Sequence, residues 1–162
     1  MCLYQVSPFF DFLTSTEKLE YERLRCTLSA PERRYNRNRR VSTFEEILNE
    51  VKAFCRMGNG LLSIRSVVCG ICWIGDDIAL NICDFRNLIG RSKSSINGVF
   101  QKMGYESVTV KGKELSLLLT NLPILKSKMS ECRKWTIRRV VGSSEHQLLE
   151  FPKSVSAPML TI

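Results

Sequence analysis

The chain has 162 residues, 44 % of them hydrophobic, which suits one folded domain and excludes a wholly disordered protein. Its longest nearly unbroken apolar run, Val67 to Ile74, is too short to span a membrane, so no membrane partner is expected. The formal net charge is +8, and residues 31–140 carry 20 basic and 10 acidic side chains. This excess in the middle of the chain is typical of a domain that meets a polyanion, although a merely basic soluble surface fits composition equally well.

The seven cysteines are spread over positions 2 to 132 inside apolar patterns, which indicates mostly free core thiols of an intracellular protein. Cys69 and Cys72 form a C-x-x-C pair, and Cys83 lies not far along. Structural zinc needs a fourth ligand at matching spacing, but there is no second such pair, and the only histidine, His146, lies in the predicted tail. We expect no metal site and no cofactor.

Catalytic motifs are also missing from the sequence. It contains no glycine-rich phosphate loop, nucleophile elbow or metalloprotease helix. Asp76 and Asp77 could bind a metal ion, but such residues are common in a turn between strands. We therefore expect a protein that is not an enzyme and that has no catalytic residues.

Residues 1–30 are predicted to form an N-terminal anchor and an extra helix that packs on the domain. The anchor is the apolar run 8–13. Thr14 and Glu17 have the spacing of a capping box that starts the helix. Its apolar residues repeat at helical spacing, and they are Tyr21, Leu24 and Leu28.

Residues 31–41 are predicted to form a basic arm. Five arginines and no aliphatic residue lie between positions 31 and 40. Arginines in such an arm can contact phosphates or enter the minor groove of DNA. Arg37, Arg39 and Arg40 are therefore candidate DNA-binding residues.

The next helix is predicted from Ser42, which forms a capping box with Glu45. One apolar stripe runs along it, namely Phe44, Ile47, Leu48, Val51, Phe54 and Cys55. Gly58 and Gly60 are expected to end it. The segment Val67–Leu80 is apolar and rich in residues with a high β-strand propensity. It predicts two short strands joined by the turn Gly75-Asp76-Asp77.

Residues 81–106 predict a helix-turn-helix, because two short helices flank a glycine-containing turn. The first has an apolar face of Ile82, Phe85, Leu88 and Ile89 and ends at Gly90. A polar connection follows, and Ser94 is expected to cap the second helix. The second helix turns Ile96, Val99, Phe100 and Met103 inward, at i, i+3, i+4 and i+7.

The outward face of this second helix is made of small and amide side chains. Asparagine and glutamine can pair with adenine edges, small residues let the backbone come close, and cations beside the helix N-terminus can hold phosphates. An ordinary helical hairpin with a polar face is the alternative. The candidate DNA-binding residues here are Arg91, Ser92, Lys93, Ser94, Ser95, Asn97, Gly98, Gln101 and Lys102.

A basic β-hairpin, or wing, is predicted after this helix. Val108 and Val110 alternate with polar residues, and Leu115 and Leu117 resume the alternation, which places Lys111 and Lys113 at the tip. These lysines are candidate contacts to the sugar-phosphate backbone. Pro123 is expected to start another helix, and Trp135 to Val140 to form a closing strand. Trp73 is expected to be largely buried among Phe44, Phe54, Phe85 and Phe100.

Several of these segments together resemble a known family, over about Pro8 to Val140. The distinctive ones are Lys93-Ser94-Ser95-Ile96-Asn97-Gly98 and the arginine arm Asn36-Arg37-Asn38-Arg39-Arg40; others are Cys69-Gly70-Ile71-Cys72-Trp73, Ile78-Ala79-Leu80-Asn81 and Trp135-Thr136-Ile137-Arg138. The chain resembles the initiator-binding domain family of trichomonad transcription factors, which have a winged-helix DNA-binding domain. The implied fold is a helix-rich α+β winged helix at residues 42–140, followed by a loose tail at 141–162.

The resemblance implies sequence-specific binding to double-stranded promoter DNA at an initiator-like core-promoter element. It also implies a role in transcription initiation or regulation in the nucleus, with the transcription machinery and RNA polymerase II as further partners. Two other functions stay open. The protein could bind RNA, since arginine arms also fold on RNA, or it could be a protein-interaction module with a basic surface.

Overall fold

A computed structural model of the protein describes residues 6–30, 40–57 and 63–141. Six α-helices and four strands lie in these ranges, and the α+β, helix-rich winged-helix class is confirmed. In chain order they are α1 (Ser15–Leu28), α2 (Arg40–Arg56), α3 (Ile64–Cys69), β1 (Ile71–Ile74), β2 (Asp77–Asn81), α4 (Ile82–Ile89), α5 (Lys93–Lys102), β3 (Tyr105–Thr109), α6 (Lys113–Asn121) and β4 (Trp135–Val140). A short 3-10 turn occupies Phe10–Phe12, and a longer 3-10 segment, kinked at Lys128, occupies Pro123–Lys134. None of the helices in the described ranges is long and apolar enough to cross a membrane.

The N-terminal anchor and α1 have the predicted form. Phe9 and Leu13 are buried on either side of the first 3-10 turn. Thr14 caps α1, because its Oγ1 accepts from the Glu17 N–H over 3.1 Å while the Thr14 N–H donates to Glu17 Oε1 over 2.9 Å. This bond from the Thr14 backbone lowers the pKa of Glu17. Tyr21 and Leu28 of α1 are buried in the core.

Helix α2 carries the predicted apolar stripe but starts earlier than predicted. It begins at Arg40, so Ser42 lies in its first turn and is not its N-cap. Val41 packs against the core, and this apolar contact extends the helix toward its N-terminus, beyond Ser42. A capping interaction contributes only about 1 kcal/mol, so packing of this kind readily overrides it.

The segment predicted as two strands from Val67 begins with a helix instead. Val67, Val68 and Cys69 are buried in α3, and β1 starts only at Ile71. Gly70 ends α3 with a left-handed φ of +80°, which glycine adopts without steric cost. A short apolar run suits a buried helix turn as well as a strand, and here Gly70 divides the run into one of each.

The four strands form one antiparallel sheet in the order β1-β2-β4-β3. Gly75 and Asp76 make the two-residue turn between β1 and β2, and Ile74 pairs with Asp77. Strand β2 precedes α4 and α5, β3 follows them, and β4 lies between β2 and β3. This arrangement of three strands around a helix-turn-helix is the winged-helix topology, with β1 added at one edge.

The wing differs from its prediction in the residues that form its second strand. Leu115 and Leu117 belong to α6, and β3 pairs with β4. Leucines at positions 115, 117, 118, 119 and 122 fit a helical face as well as an alternating strand, and Leu118 and Leu122 are the fully buried ones. The predicted strand at Trp135 to Val140 is confirmed, and Pro123 begins the second 3-10 segment as expected of a first-turn proline.

The sheet is covered on both faces. Arg138 of β4 contacts Phe100 on the face that packs against α5. Because side chains alternate along a strand, Trp135, Ile137 and Arg139 point to the opposite face, where Arg139 pairs with Glu114 of α6. The segment between β3 and β4 therefore supplies the second cover of the sheet.

The predicted aromatic core is confirmed for its phenylalanines and wrong for its tryptophan. Phe44, Phe85 and Phe100 are fully buried and in contact, and Phe54 is buried beside Tyr21. Trp73 is only half-buried, with Lys52 Nζ 5.4 Å from its ring centroid. Trp73 lies one residue from the end of β1, which is an edge strand, and close to the turn between β1 and β2. The deeply buried tryptophan is Trp135, which is 2 % exposed.

Candidate nucleic-acid interface

Two capped helices form the helix-turn-helix. Asn81 caps α4, since its Oδ1 accepts from the Asp84 N–H over 3.4 Å. Gly90 ends α4 with a left-handed φ of +69°, which turns the chain toward α5. The predicted cap of α5 was Ser94, but Ser92 occupies that place, and its Oγ accepts from the Ser95 N–H over 3.2 Å. Both serines have the residue type of an N-cap, so the sequence alone did not separate them.

Helix α5 is divided into a buried and an exposed side, as its sequence predicts. Ile96, Val99 and Phe100 are fully buried. Of the predicted DNA-binding residues in this region, Ser92, Lys93, Ser94, Asn97, Gln101 and Lys102 are exposed, and Arg91, Ser95 and Gly98 are half-buried. The structure thus collects hydroxyl, amide and ammonium groups on one side of a ten-residue helix that contains no acidic residue.

The N-terminal end of α5 suits an anion. The first backbone N–H groups of a helix lack intrahelical partners, and the helix dipole makes this end positive. Ser92 Oγ lies 3.2 Å from Ser94 Oγ, and the exposed Lys93 lies between these two serines in the chain. A phosphate at this end could meet backbone N–H groups, hydroxyls and one cation together.

Asn97 is joined to a residue that the sequence did not associate with the helix. Arg138 Nη1 donates to Asn97 Oδ1 over 2.9 Å. Arg138 Nε also donates to Thr136 Oγ1 over 3.2 Å, and its guanidinium lies 5.4 Å from the Phe100 ring centroid. Burial lowers the pKa of Arg138, but a guanidinium keeps its charge in proteins. The period-two pattern of β4 could have placed Arg138 opposite Trp135 and Ile137, but nothing in the sequence identifies Asn97 as its partner.

Internal ion pairs or hydrogen bonds engage several described arginines of the basic middle segment, among them Arg65, Arg138 and Arg139. Arg138 is bonded to Asn97, and Arg139 Nη2 lies 3.1 Å from Asp77 Oδ2. Arg65 is buried against Phe54 and pairs with Glu17 Oε2 and Glu20 Oε2 at 2.8 and 3.0 Å. The 20 basic side chains of residues 31–140 are therefore not all available as surface cations.

Lys111 and Lys113 are exposed, but they do not form the tip of a hairpin. Lys111 lies on the short connection between β3 and α6, and Lys113 is the first residue of α6, beyond the end of β3 that is remote from α5. The wing itself exposes Glu106, Ser107 and Thr109 on β3. The two lysines therefore follow the wing strand, and Lys102 precedes it.

The basic arm lies mostly outside the described residues. Arg37 and Arg39 are not described, and of Arg40 only its backbone place at the start of α2 is given. The tail beyond Val141 is likewise outside the described ranges.

The described cysteines are free thiols, as predicted, although not all are in the core. Cys69, Cys72 and Cys132 are buried, Cys55 is half-buried, and Cys26 and Cys83 lie on the surface. Burial raises the pKa of Cys72 to about 12 and that of Cys69 well above its ordinary value. In residues 6–30, 40–57 and 63–141, no group of three or more histidine, cysteine or acidic side chains is placed to hold a metal ion.

Comparison with known proteins identifies the domain. The family model of the transcription-initiator DNA-binding domain, IBD, matches residues 15–142, which include every helix and strand from α1 to β4. No curated protein and no solved structure matches the chain. The family match covers most of the chain and agrees with the capped helix-turn-helix, the sheet and the exposed polar face of α5. The chain belongs to the IBD family of transcription-initiator DNA-binding domains.

Proposed function

We propose that the protein binds double-stranded promoter DNA sequence-specifically, at an initiator-like core-promoter element, and acts in transcription initiation or regulation in the nucleus. DNA binding follows from membership of the IBD family. One observation supports the reading of bases by this helix. The exposed side of α5 carries amide and hydroxyl groups, and the helix contains no acidic residue. The protein is proposed to act by binding and not by catalysis.

In this proposal α5 lies in the major groove, which is about 12 Å wide and admits one helix. Asn97 and Gln101 reach base edges from adjacent turns, and the half-buried Gly98 lets the backbone approach. The buried Ile96, Val99 and Phe100 fix the helix from behind, so the polar side chains are presented at constant spacing. Reading by a rigid helix gives specificity because each side chain meets the same base position.

Contacts to the sugar-phosphate backbone of the DNA supply the rest of the binding affinity. In this proposal the N-terminal N–H groups of α5 hold one phosphate together with Ser92, Lys93 and Ser94, and Arg91 assists them. Lys102, Lys111 and Lys113 are exposed cations that can neutralise further phosphates, and Arg37, Arg39 and Arg40 remain the proposed contacts of the arm. A factor bound at an initiator lies next to the start site, so RNA polymerase II is the proposed protein partner.

Gel-shift titration over a salt series tests the function against its alternatives. The probes are duplex DNA selected from a randomised library, a scrambled duplex, the single strands and RNA of the same sequence. We expect the selected duplex to bind tightest, with an affinity that falls by a log–log slope of about 0.9 for each phosphate contact. Tighter binding to RNA would favour the RNA-binding alternative, and equal binding to all duplexes would contradict sequence-specific recognition. A failure to bind any nucleic acid would favour the protein-interaction module.

A further inference from the structure

The bond between Arg138 and Asn97 connects the core of the domain to the exposed side of α5. Arg138 is 8 % exposed. It is held by Thr136 Oγ1 at 3.2 Å and rests 5.4 Å from the Phe100 ring centroid, so its position is fixed by the sheet and the aromatic core. From there its Nη1 donates to Asn97 Oδ1 over 2.9 Å, although Asn97 itself is exposed.

The chemistry of this bond determines which way the Asn97 amide faces. A guanidinium carries five N–H donors and no acceptor, so the amide must turn its oxygen toward Arg138. The Nδ2 hydrogens are then at the other end of the amide, away from the buried arginine and toward the exposed side of the helix. We propose that Arg138 is a positioning residue that presents Asn97 to DNA as a hydrogen-bond donor.

This inference deepens the proposed function and rests on it. An unconstrained asparagine can pair with adenine through two bonds, accepting from N6 and donating to N7. With its Oδ1 turned toward Arg138 and its Nδ2 toward the exposed side of α5, Asn97 reads acceptors: guanine N7 and O6, thymine O4 or adenine N7. It discriminates against cytosine, whose major-groove edge presents only the N4 donor. The base preference at one position of the site is therefore set partly by a residue of the sheet that touches no DNA.

The Asn97→Asp variant tests the orientation without disturbing the core, because Asn97 is exposed. The carboxylate still accepts from Arg138, but its outward oxygen is now an acceptor. Selection from a randomised DNA library first identifies the base pair that Asn97 reads. It is the position of the DNA site at which the wild-type base preference disappears in Asn97→Ala. At that position we expect Asn97→Asp to raise the selection of cytosine about tenfold.

Gln101→Glu is the matched control, since it makes the same charge change one turn further along the exposed side of α5. It lowers the overall affinity through the same repulsion from phosphates, but we expect it to leave the preference at the Asn97 position unaltered. If both variants change the base preference at the Asn97 position in the same way, the change is due to the added negative charge and not to the orientation of the amide.

Substitution of Arg138 tests the positioning itself. Arg138→Gln offers Asn97 both a donor and an acceptor, so the amide can turn either way. Among folded protein, we expect discrimination at the Asn97 position to fall about fivefold with the other positions unchanged. Arg138→Lys keeps a pure donor and should retain the preference. If the buried Arg138 variants do not fold, the wild-type selection decides the question: selection of guanine or thymine at the Asn97 position supports the inference, and a strict requirement for adenine would overturn it.

The outcomes separate this inference from the proposed function. If the wild-type protein selects no DNA site, both are overturned. If it selects a site but Asn97→Asp gains no cytosine preference, sequence-specific binding stands and the role of Arg138 is overturned. A selection profile of folded Arg138→Gln identical to that of wild type would likewise overturn it.

Discussion

Phe44 of α2 and Phe100 of α5 pack edge to face, with ring centroids 5.3 Å apart and planes at 81°. Phe44 meets Phe85 of α4 in the same way, at 6.3 Å and 86°. One residue of α2 thus joins both helices of the helix-turn-helix to the core. Tyr105 of β3 contacts the Phe100 ring at 5.6 Å, so the same cluster couples α5 to the wing.

Removing the Phe100 ring should destabilise the whole domain. Phe100→Ala leaves a cavity where α2, α5 and β3 meet, and we expect a loss of about 3–5 kcal/mol in the free energy of unfolding. That is a large part of the 5–15 kcal/mol typical of a domain. Chemical denaturation monitored by circular dichroism measures it. Phe12→Ala removes the same ring from a residue that is 58 % exposed, and it should be close to neutral. Similar losses in both variants would contradict the packing described here.

Gly70 is expected to tolerate no side chain. Its φ is +80°, and an added Cβ would lie 2.7 Å from the Asn81 carbonyl oxygen and 2.7 Å from the Phe85 nitrogen. These are backbone atoms that cannot move without shifting β2 and α4. Gly70→Ala should therefore lower the free energy of unfolding by about 2–4 kcal/mol.

Gly75 provides the comparison for Gly70, since its φ is +60° but a Cβ there would have no neighbour within 4 Å. Gly75→Ala meets only the cost of a left-handed backbone, about 1 kcal/mol. Thermal unfolding of the two variants in parallel separates the two effects. An equal loss in both would mean that the close approach of Gly70 to Asn81 and Phe85 is incorrect.

Asp84 makes the stability of the domain depend on pH. Burial in the first turn of α4 raises the pKa of this carboxyl to about 6, above its ordinary value. The folded state therefore favours the protonated form. Its contribution to stability is complete below about pH 4 and is lost as the pH rises through about 6.

Asp84→Asn should remove this dependence. Asparagine is neutral, and its oxygen can still accept the bond that Asn81 Nδ2 donates to Asp84 Oδ2 over 3.1 Å. At pH 7.5 we expect the variant to exceed wild type by about 1–2 kcal/mol, a figure reduced for the partial exposure of the site. At pH 4 the two proteins should be nearly equal. Denaturant titrations at both pH values measure the difference in the free energy of unfolding between the variant and wild type. A difference independent of pH would contradict a buried Asp84 carboxyl that the folded state keeps protonated.

Local signals in the sequence determined most of the helices. The capping box at Thr14 and Glu17 and Gly90 after α4 each combine a periodic apolar face with a residue suited to the helix end, whereas α2 is predicted correctly from its apolar stripe alone. The same reasoning failed where two periods fit the same residues. The leucines after Lys113 alternate like a strand but bury a helical face, and the run from Val67 contains both a helix and a strand.

The parts that sequence reasoning missed depend on contacts between distant residues. Arg138 and Asn97 are 41 positions apart, and Arg139 reaches Asp77 across 62. Such pairs arise from strand order and register, which composition and spacing do not contain. The same holds for the tryptophans, because burial of Trp135 and partial exposure of Trp73 follow from which parts of the sheet the helices cover.

The most direct test of base reading by α5 compares Gln101→Ala with Lys93→Ala. Both side chains are exposed on this helix, but only the amide is proposed to contact bases, whereas Lys93 holds the backbone. The measurement is the binding free energy of each variant for the selected duplex and for a scrambled duplex at one salt concentration. We expect Gln101→Ala to lose about 1–3 kcal/mol on the selected duplex and almost nothing on the scrambled one. Lys93→Ala should weaken both duplexes alike. Equal losses on both duplexes in Gln101→Ala would contradict the claim that α5 reads the DNA sequence.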